Sequence, residues 1–143
     1  MKKLLLIAAA AALASCATYQ DNAPSFLPGS GAVSVKLAGS EEVPPVTASG
    51  SGSGTIRVNS DGTVSGSVTT TGVEGTMAHI HQGAKGQNGP VIIPLTKAGD
   101  TYTVPANAKL NDAQMKAFKA GQLYVNVHTT KNKGGEVRAQ LSP

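Results

Sequence analysis

The sequence lacks tryptophan, and its 143 residues include only three tyrosines, two phenylalanines and one cysteine. Surfaces that bind nucleic acids combine basic runs with aromatic side chains that stack on bases. This chain has almost no aromatic residues, and its lysines are scattered rather than grouped. We therefore predict no nucleic-acid partner, and the lone cysteine excludes an internal disulfide.

Familiar catalytic patterns are also missing. The glycine-rich runs at 50–54 and 83–89 lack the Gly-Lys-Ser/Thr ending and the following helix of a phosphate-binding loop. No grouping of serine, histidine and acid suggests a hydrolase, and the cysteine is predicted below to be acylated. The sequence thus favours a binding protein over an enzyme.

The N-terminus has the pattern of an exported protein. Met1-Lys2-Lys3 precedes an apolar block at 4–14, which is too short to anchor stably across a bilayer, so residues 1–15 are predicted to be a signal peptide. Leu-Ala-Ser-Cys at 13–16 resembles a bacterial lipobox, in which the cysteine, here Cys16, becomes the first mature residue and carries lipid. Ala17 stands where an aspartate favours inner-membrane retention. We predict a lipoprotein of the bacterial cell envelope, anchored by its lipid in the outer membrane and facing the periplasm; a soluble exported protein with a free thiol is the alternative.

Removal of 15 residues from 143 leaves 128, enough for one domain with a modest core. The loss of Lys2 and Lys3 leaves ten basic against eight acidic residues, a net charge of +2. Residues 16–31 are rich in proline and glycine and show no apolar period, which predicts a flexible tether. Residues 32–143 are predicted to form the domain, and its mild charge favours a monomer.

The domain has the pattern of a β-protein. Short stretches alternate apolar and polar residues, as at 32–37, and turn residues such as Asp61-Gly62 separate them. The Gly/Ser run at 49–54 looks like a linker directly before a strand at 55–58. Asn111 and Gln114 form a capping box for one short connecting helix, which Gly121 ends. About eight strands are expected, in an antiparallel Greek-key sandwich or barrel.

The three histidines occupy only two segments. His79 and His81 alternate with Ile80, so both project from one face of a strand, and His128 ends the strand at 123–129. If the two strands meet, three imidazoles converge, and neutral imidazoles suit copper or zinc better than magnesium or calcium. Histidines that serve only as hydrogen-bonded structural residues are the alternative.

Other side chains near this pattern are candidates for a further ligand or for orienting the ligands. Met77 shares the face of His79 and could be a thioether ligand or a core residue. Tyr124 and Asn126 share the face of His128, and Glu136 and Arg138 share one face of the last strand as an ion pair or a solvated pair. Glu41 and Glu42 could hold an imidazole N–H or could simply be solvated.

Several segments together resemble the CHRD domain family and occur in its order. They are Leu-Ala-Gly-Ser-Glu-Glu-Val-Pro-Pro at 37–45, Ala-His-Ile-His-Gln-Gly-Ala at 78–84, Asn-Gly-Pro-Val at 88–91, Gly-Gln-Leu-Tyr-Val-Asn-Val-His-Thr at 121–129 and Gly-Glu-Val-Arg-Ala-Gln-Leu at 135–141. The resemblance implies an immunoglobulin-like or superoxide-dismutase-like β-sandwich, and it implies no settled activity.

A looser similarity concerns copper-zinc superoxide dismutase, whose copper site also uses a His-x-His strand and a late-strand histidine. His79, His81 and His128 are the matching positions, but the chain has no fourth histidine to bridge a zinc ion and no intrachain disulfide. The similarity therefore implies a mononuclear copper site, with zinc as the second candidate metal.

We expect an envelope lipoprotein that binds copper for storage, delivery or protection, or for simple redox chemistry at an open metal position. A metal-free structural or interaction module, by analogy with chordin, is the alternative from another class. A copper-dependent oxidoreductase is a third and lower option.

Overall fold

The computed structural model describes residues 31–143. The predicted signal peptide, Cys16 and all of the tether before Gly31 lie outside the described residues. The described part contains nine strands and one α-helix: β1 (Gly31–Leu37), β2 (Ser51–Val58), β3 (Val64–Thr71), β4 (Gly75–Gln82), β5 (Val91–Pro94), β6 (Thr96–Ala98), β7 (Thr101–Thr103), α1 (Asp112–Lys119), β8 (Leu123–Thr129) and β9 (Val137–Leu141).

The strands form two antiparallel sheets that face each other. The five-stranded sheet has the order β1-β2-β3-β7-β6, and the four-stranded sheet has the order β5-β4-β8-β9. The chain changes sheet after β3, after β5 and after β7, so strands that are distant in sequence become neighbours. The prediction of an all-β antiparallel sandwich is confirmed, and within residues 31–143 the sheets do not close into a barrel.

An apolar core lies between the sheets. In β1, Val33, Val35 and Leu37 are buried while Ser34 and Lys36 are exposed, which is the alternation expected of a strand with one face in solvent. The same side chains pack against Ala78, Ile80, Val125, Val127 and others from the four-stranded sheet. One backbone bridge joins the two sheets at their edge, because Ala38 and Arg138 exchange N–H···O bonds of 3.0 and 3.1 Å.

The Gly/Ser run is part of a strand and not a linker. β2 begins at Ser51, so Gly52 and Gly54 pair with Thr70 and Val68 of β3. A Cβ on Gly54 would lie about 2.1 Å from the Ser67 carbonyl oxygen, so the close approach of the two backbones requires glycine there. The Gly/Ser run has the composition of a linker because β2 needs small residues where its backbone packs closely against β3.

The predicted turn and helix are both present. Gly62 has a φ of +85° in the tight turn before β3, as the Asp-Gly pair predicts. In α1, Asn111 Oδ1 accepts the Gln114 amide N–H and Gln114 Oε1 accepts the Asn111 amide N–H, both at 2.9 Å. Gly121 follows the helix with a φ of +68°. Among residues 31–143, no helix has the length and apolar character needed to cross a membrane.

Candidate metal centre

The three histidines form one cluster on the outer face of the four-stranded sheet. In β4, Ala78 and Ile80 point into the core, so His79 and His81 lie on the opposite face. β4 pairs with β8, and His128 lies on the same outer face as these two histidines. One ring nitrogen from each histidine lies within 4.8 Å of the others. The convergence predicted from strand alternation is confirmed.

Backbone carbonyls fix the orientation of two rings. His81 Nδ1 lies 2.9 Å from the Gly89 oxygen, and His128 Nδ1 lies 2.8 Å from the Lys133 oxygen. Because a carbonyl only accepts, each Nδ1 carries the proton, and each neutral ring keeps its lone pair on Nε2. The two rings are therefore held by backbone carbonyl oxygens of loops. Glu41 and Glu42, which the sequence offered as partners for an imidazole N–H, do not hold them.

The third ring completes the cluster. His79 Nδ1 lies 3.0 Å from His128 Nε2, so in the metal-free protein His79 donates to the lone pair of His128. A metal ion would compete for that same lone pair. His81 Nε2 is buried and has no partner of hydrogen-bond geometry within residues 31–143. A buried acceptor without a partner is unfavourable, so this atom fits a site that is completed by a cation.

The surroundings of His79 and His81 favour their neutral forms. Burial lowers the pKa of His79, and the neighbouring His128 and His81 lower it further. Burial also lowers the pKa of His81, against the Gly89 carbonyl, which raises it. Neutral imidazole is the form that binds a metal ion, so the lowered pKa values of His79 and His81 favour metal binding by these two rings.

A buried stack supports His81 from behind. The Tyr124 ring lies parallel to the His81 ring, with 4.7 Å between centroids and 7° between planes. The guanidinium of Arg138 lies over the Tyr124 ring, with its Cζ 3.5 Å from the ring centroid. Arg138 is only 1% exposed, and it donates to the carbonyls of Ala84 and Gln87 at 3.2 and 2.9 Å. The stack thus ties His81 to the loop at 83–90.

A buried carboxyl group lies next to this stack. Glu42 is 4% exposed, and burial raises its pKa to about 7, although Arg138 and Asn126 favour its charged form. Gly135 permits the arrangement, since a Cβ there would fall within 2.3 Å of Glu42 Oε1 and 2.5 Å of Asn126 Nδ2. The expectation that Glu42 is a solvated surface residue is wrong, whereas Glu41 forms an exposed ion pair with Lys85.

The other candidates divide into two groups. Tyr124 and Asn126 share the outer face with His128, as predicted, and each pairs in register with a histidine of β4. Met77 is 50% exposed, so it is not a core residue. Glu136 lies before β9 and accepts from Thr129 and Asn132. Of the two alternatives for Glu136 and Arg138, the ion pair does not form within the described part of the chain, and the solvated pair is wrong because Arg138 is only 1% exposed.

Sequence reasoning missed the roles of Glu42, Gly89 and Lys133. The last two act through their carbonyl oxygens, which leave no residue-type signal in a sequence. For Glu42 a weak signal existed, since an acidic residue beside Pro44-Pro45 is held on a rigid loop. That loop folds over the outer face, where Asn88 Nδ2 donates to the Val43 carbonyl at 2.7 Å.

Comparison with curated proteins gives no match, and comparison with solved structures gives none either. The family model for the CHRD domain matches residues 33–141, which include every strand from β2 to β9 and all three histidines. This match spans well over half of the chain and coincides with the two-sheet unit. The chain therefore belongs to the CHRD domain family.

Proposed function

We propose that this domain binds one copper ion through His79, His81 and His128, in an exported and lipid-anchored protein. The observation that carries the proposal is the cluster itself, with three ring nitrogens within 4.8 Å and the buried Nε2 of His81 without a partner. His81 and His128 would present Nε2, because their Nδ1 atoms are held by backbone carbonyls.

The ligand set supports copper over the hard cations. Calcium and magnesium prefer oxygen ligands, and the cluster offers only imidazole nitrogen. Copper(II) stands at the top of the divalent affinity order for such a set, and zinc is the second candidate. Copper held by three protein ligands would keep an exchangeable position, which suits storage, delivery or protection.

A metal titration tests the proposal directly. Residues 17–143 include the whole matched domain and omit Cys16, the one thiol that would bind copper on its own. We expect one copper per chain after gel filtration, with nitrogen hyperfine structure in the Cu(II) EPR spectrum. If neither copper nor zinc is retained, the copper proposal fails and a metal-free interaction module becomes the better description.

The ligands are tested by substitution. His79→Ala, His81→Ala and His128→Ala should each weaken copper binding by on the order of 100-fold, because each removes one of three ligands. Far-UV circular dichroism should stay that of a β-protein, since the rings lie outside the apolar core. If any two of these variants bind copper like the wild type, the shared site is wrong.

The lipid anchor is proposed from Leu-Ala-Ser-Cys at 13–16 and has its own test. Cells fed a clickable palmitate analogue should label the wild type in the outer-membrane fraction. Cys16→Ala should abolish the label and leave an uncleaved precursor. Labelling that persists in Cys16→Ala contradicts the anchor without touching the metal proposal.

A further inference from the structure

Met77 is an exposed thioether beside the histidine cluster. Among residues 31–143, only Met77 and Val91 are large apolar residues with about half of their surface exposed, at 50% and 49%. The exposed half of such a side chain contributes no stability through burial of apolar surface. Core packing therefore does not engage Met77, and its thioether is accessible beside the histidines.

The backbone directs Met77 towards His128. The two residues are directly opposite in the antiparallel β4–β8 pair, where Cβ atoms of such pairs lie about 5 Å apart. The register of this pair is irregular between Gly75 and Met77, and such irregularities turn side chains relative to a regular strand. Strand alternation places Met77 on the same face as His79.

The cluster is covered on one side and open on the other. Tyr124 pairs with His81, and Asn126 pairs with His79, so buried side chains close the far end. At the near end, a cavity of about 350 Å³ reaches His128. Its lining residues are Thr76, Met77, His128, Thr129, Thr130 and Lys133. The cluster is therefore open at His128, on the side where Met77 lies.

Met77 is the only thioether at this place in the described chain. Met115 lies in α1 and packs partly buried against the core. No carboxylate belongs to the cluster, which consists of three histidines alone. The Lys133 side chain is exposed, so its ammonium group stays in water and leaves the open side free.

We propose that Met77 supplies a thioether ligand to the metal and makes the site selective for Cu(I). This inference rests on the proposed copper function and adds the oxidation state. Thioether sulfur is a soft ligand that suits Cu(I), whereas Zn(II) and Cu(II) gain little from it. The open cavity then lets an incoming soft donor exchange with Met77, as delivery of Cu(I) requires.

Affinity measurements test the selectivity. We compare Met77→Leu with Met115→Leu in residues 17–143, using an anaerobic chromophoric Cu(I) chelator as competitor and separate Zn(II) and Cu(II) titrations. Met77→Leu should weaken Cu(I) binding about tenfold and change Zn(II) and Cu(II) binding less than about threefold. Met115→Leu should leave all three affinities unchanged. An equal change for all three metals in Met77→Leu overturns the inference.

X-ray absorption tests the bond itself. In a Met115→Leu background with selenomethionine, and with no methionine left by the expression leader, the only selenium is at position 77. The copper and selenium edges of the Cu(I)-loaded protein should both show a copper–selenium shell, and Met77→Leu should lose it. A nitrogen-only shell with full copper loading overturns the thioether ligand and leaves the three-histidine site intact. Failure to retain any copper overturns the proposed function instead.

Discussion

Strands β1 and β8 have similar alternating sequences but opposite outer faces. In β1, Ser34 and Lys36 are exposed. In β8, every residue from Leu123 to Thr129 is buried, including Tyr124, Asn126 and His128 on the outer face. The loops at 38–46, 83–90 and 130–136 contact this face through Glu42, Gly89 and Lys133.

The difference teaches that this sandwich has a second buried layer, which is polar. Burial of polar groups is unfavourable unless hydrogen bonds or opposite charges compensate for it. Most groups in the layer are compensated, as the contacts of Arg138 illustrate. The exceptions among the described residues are His81 Nε2, Glu42 Oε1 and Asn126 Oδ1, and they lie at the candidate centre or beside it.

The largest expected change in the free energy of unfolding comes from replacing Arg138, which lies in the polar layer. Arg138→Met keeps much of the side-chain volume but removes the donor to the Gln87 carbonyl, leaves the Ala84 carbonyl with the Gln87 amide N–H alone, and leaves Glu42 without its cation. We expect the free energy of unfolding to fall by about 3 kcal/mol in urea denaturation. Lys36→Met, on the exposed face of β1, should change it by less than about 0.5 kcal/mol. Equal effects of the two substitutions would mean that the layer is not a structural unit.

A pH-dependent effect should follow from Glu42. Its pKa is raised from 4.5 to about 7 in the folded protein, so its stabilising contribution is present below pH 4.5 and is lost as the pH rises through 7. Glu42→Gln removes this loss. We expect the variant to gain on the order of 2 kcal/mol relative to the wild type between pH 4.5 and pH 8.

The measurement compares urea denaturation of chelator-treated wild type and Glu42→Gln across this pH range. His79 and His81 have lowered pKa values, so they add stability as the pH rises towards 6.5, which is the opposite sense. Both proteins carry these histidines, and the difference between the proteins isolates Glu42. A difference that is constant with pH contradicts the raised pKa.

The smallest expected changes in the free energy of unfolding come from two tyrosines, one in the polar layer and one in the apolar core. Tyr124 Oη accepts the Gly89 amide N–H at 3.2 Å, so Tyr124→Phe should lower the free energy of unfolding by about 1 kcal/mol. Tyr102 lies fully buried in the five-stranded sheet, and its hydroxyl has no partner of hydrogen-bond geometry among residues 31–143. Tyr102→Phe should therefore be neutral within about 0.5 kcal/mol. The reverse order of the two effects would contradict the assignment of hydrogen bonds to the outer layer.

Local pattern was sufficient to predict which histidines share one face of a strand. Strand alternation determines which side chains share a face, so it placed His79 and His81 together, and it predicted their convergence with His128 on the condition that the two strands meet. The helix was also predictable, because Asn111 and Gln114 form a cap within four residues. The cap depends on a short sequence separation, whereas His79 and His128 are 49 residues apart and meet only because β4 pairs with β8.

The covering of the outer face was not predictable in the same way. Whether Glu42 is buried depends on Asn126 and Arg138, which are distant in sequence and reach it only after two strands pair. Strand β6 was likewise missed, since three exposed residues carry no apolar signal and pair only because β7 lies beside them. Loop packing over a sheet is a long-range property, and composition alone does not specify it.

The carbonyls of Gly89 and Lys133 orient two imidazoles, but the two positions differ in how freely their side chains can be substituted. At position 133 the contact comes from the main chain, so substitution of the lysine should leave His128 in place. At position 89 a Cβ would fall about 1.7 Å from the Gln82 oxygen, so glycine is required. In both loops, insertion or deletion of one residue would displace the carbonyl from its ring. A library that diversifies this site should therefore vary side chains at 130–134 at constant loop length and keep residue 89 fixed.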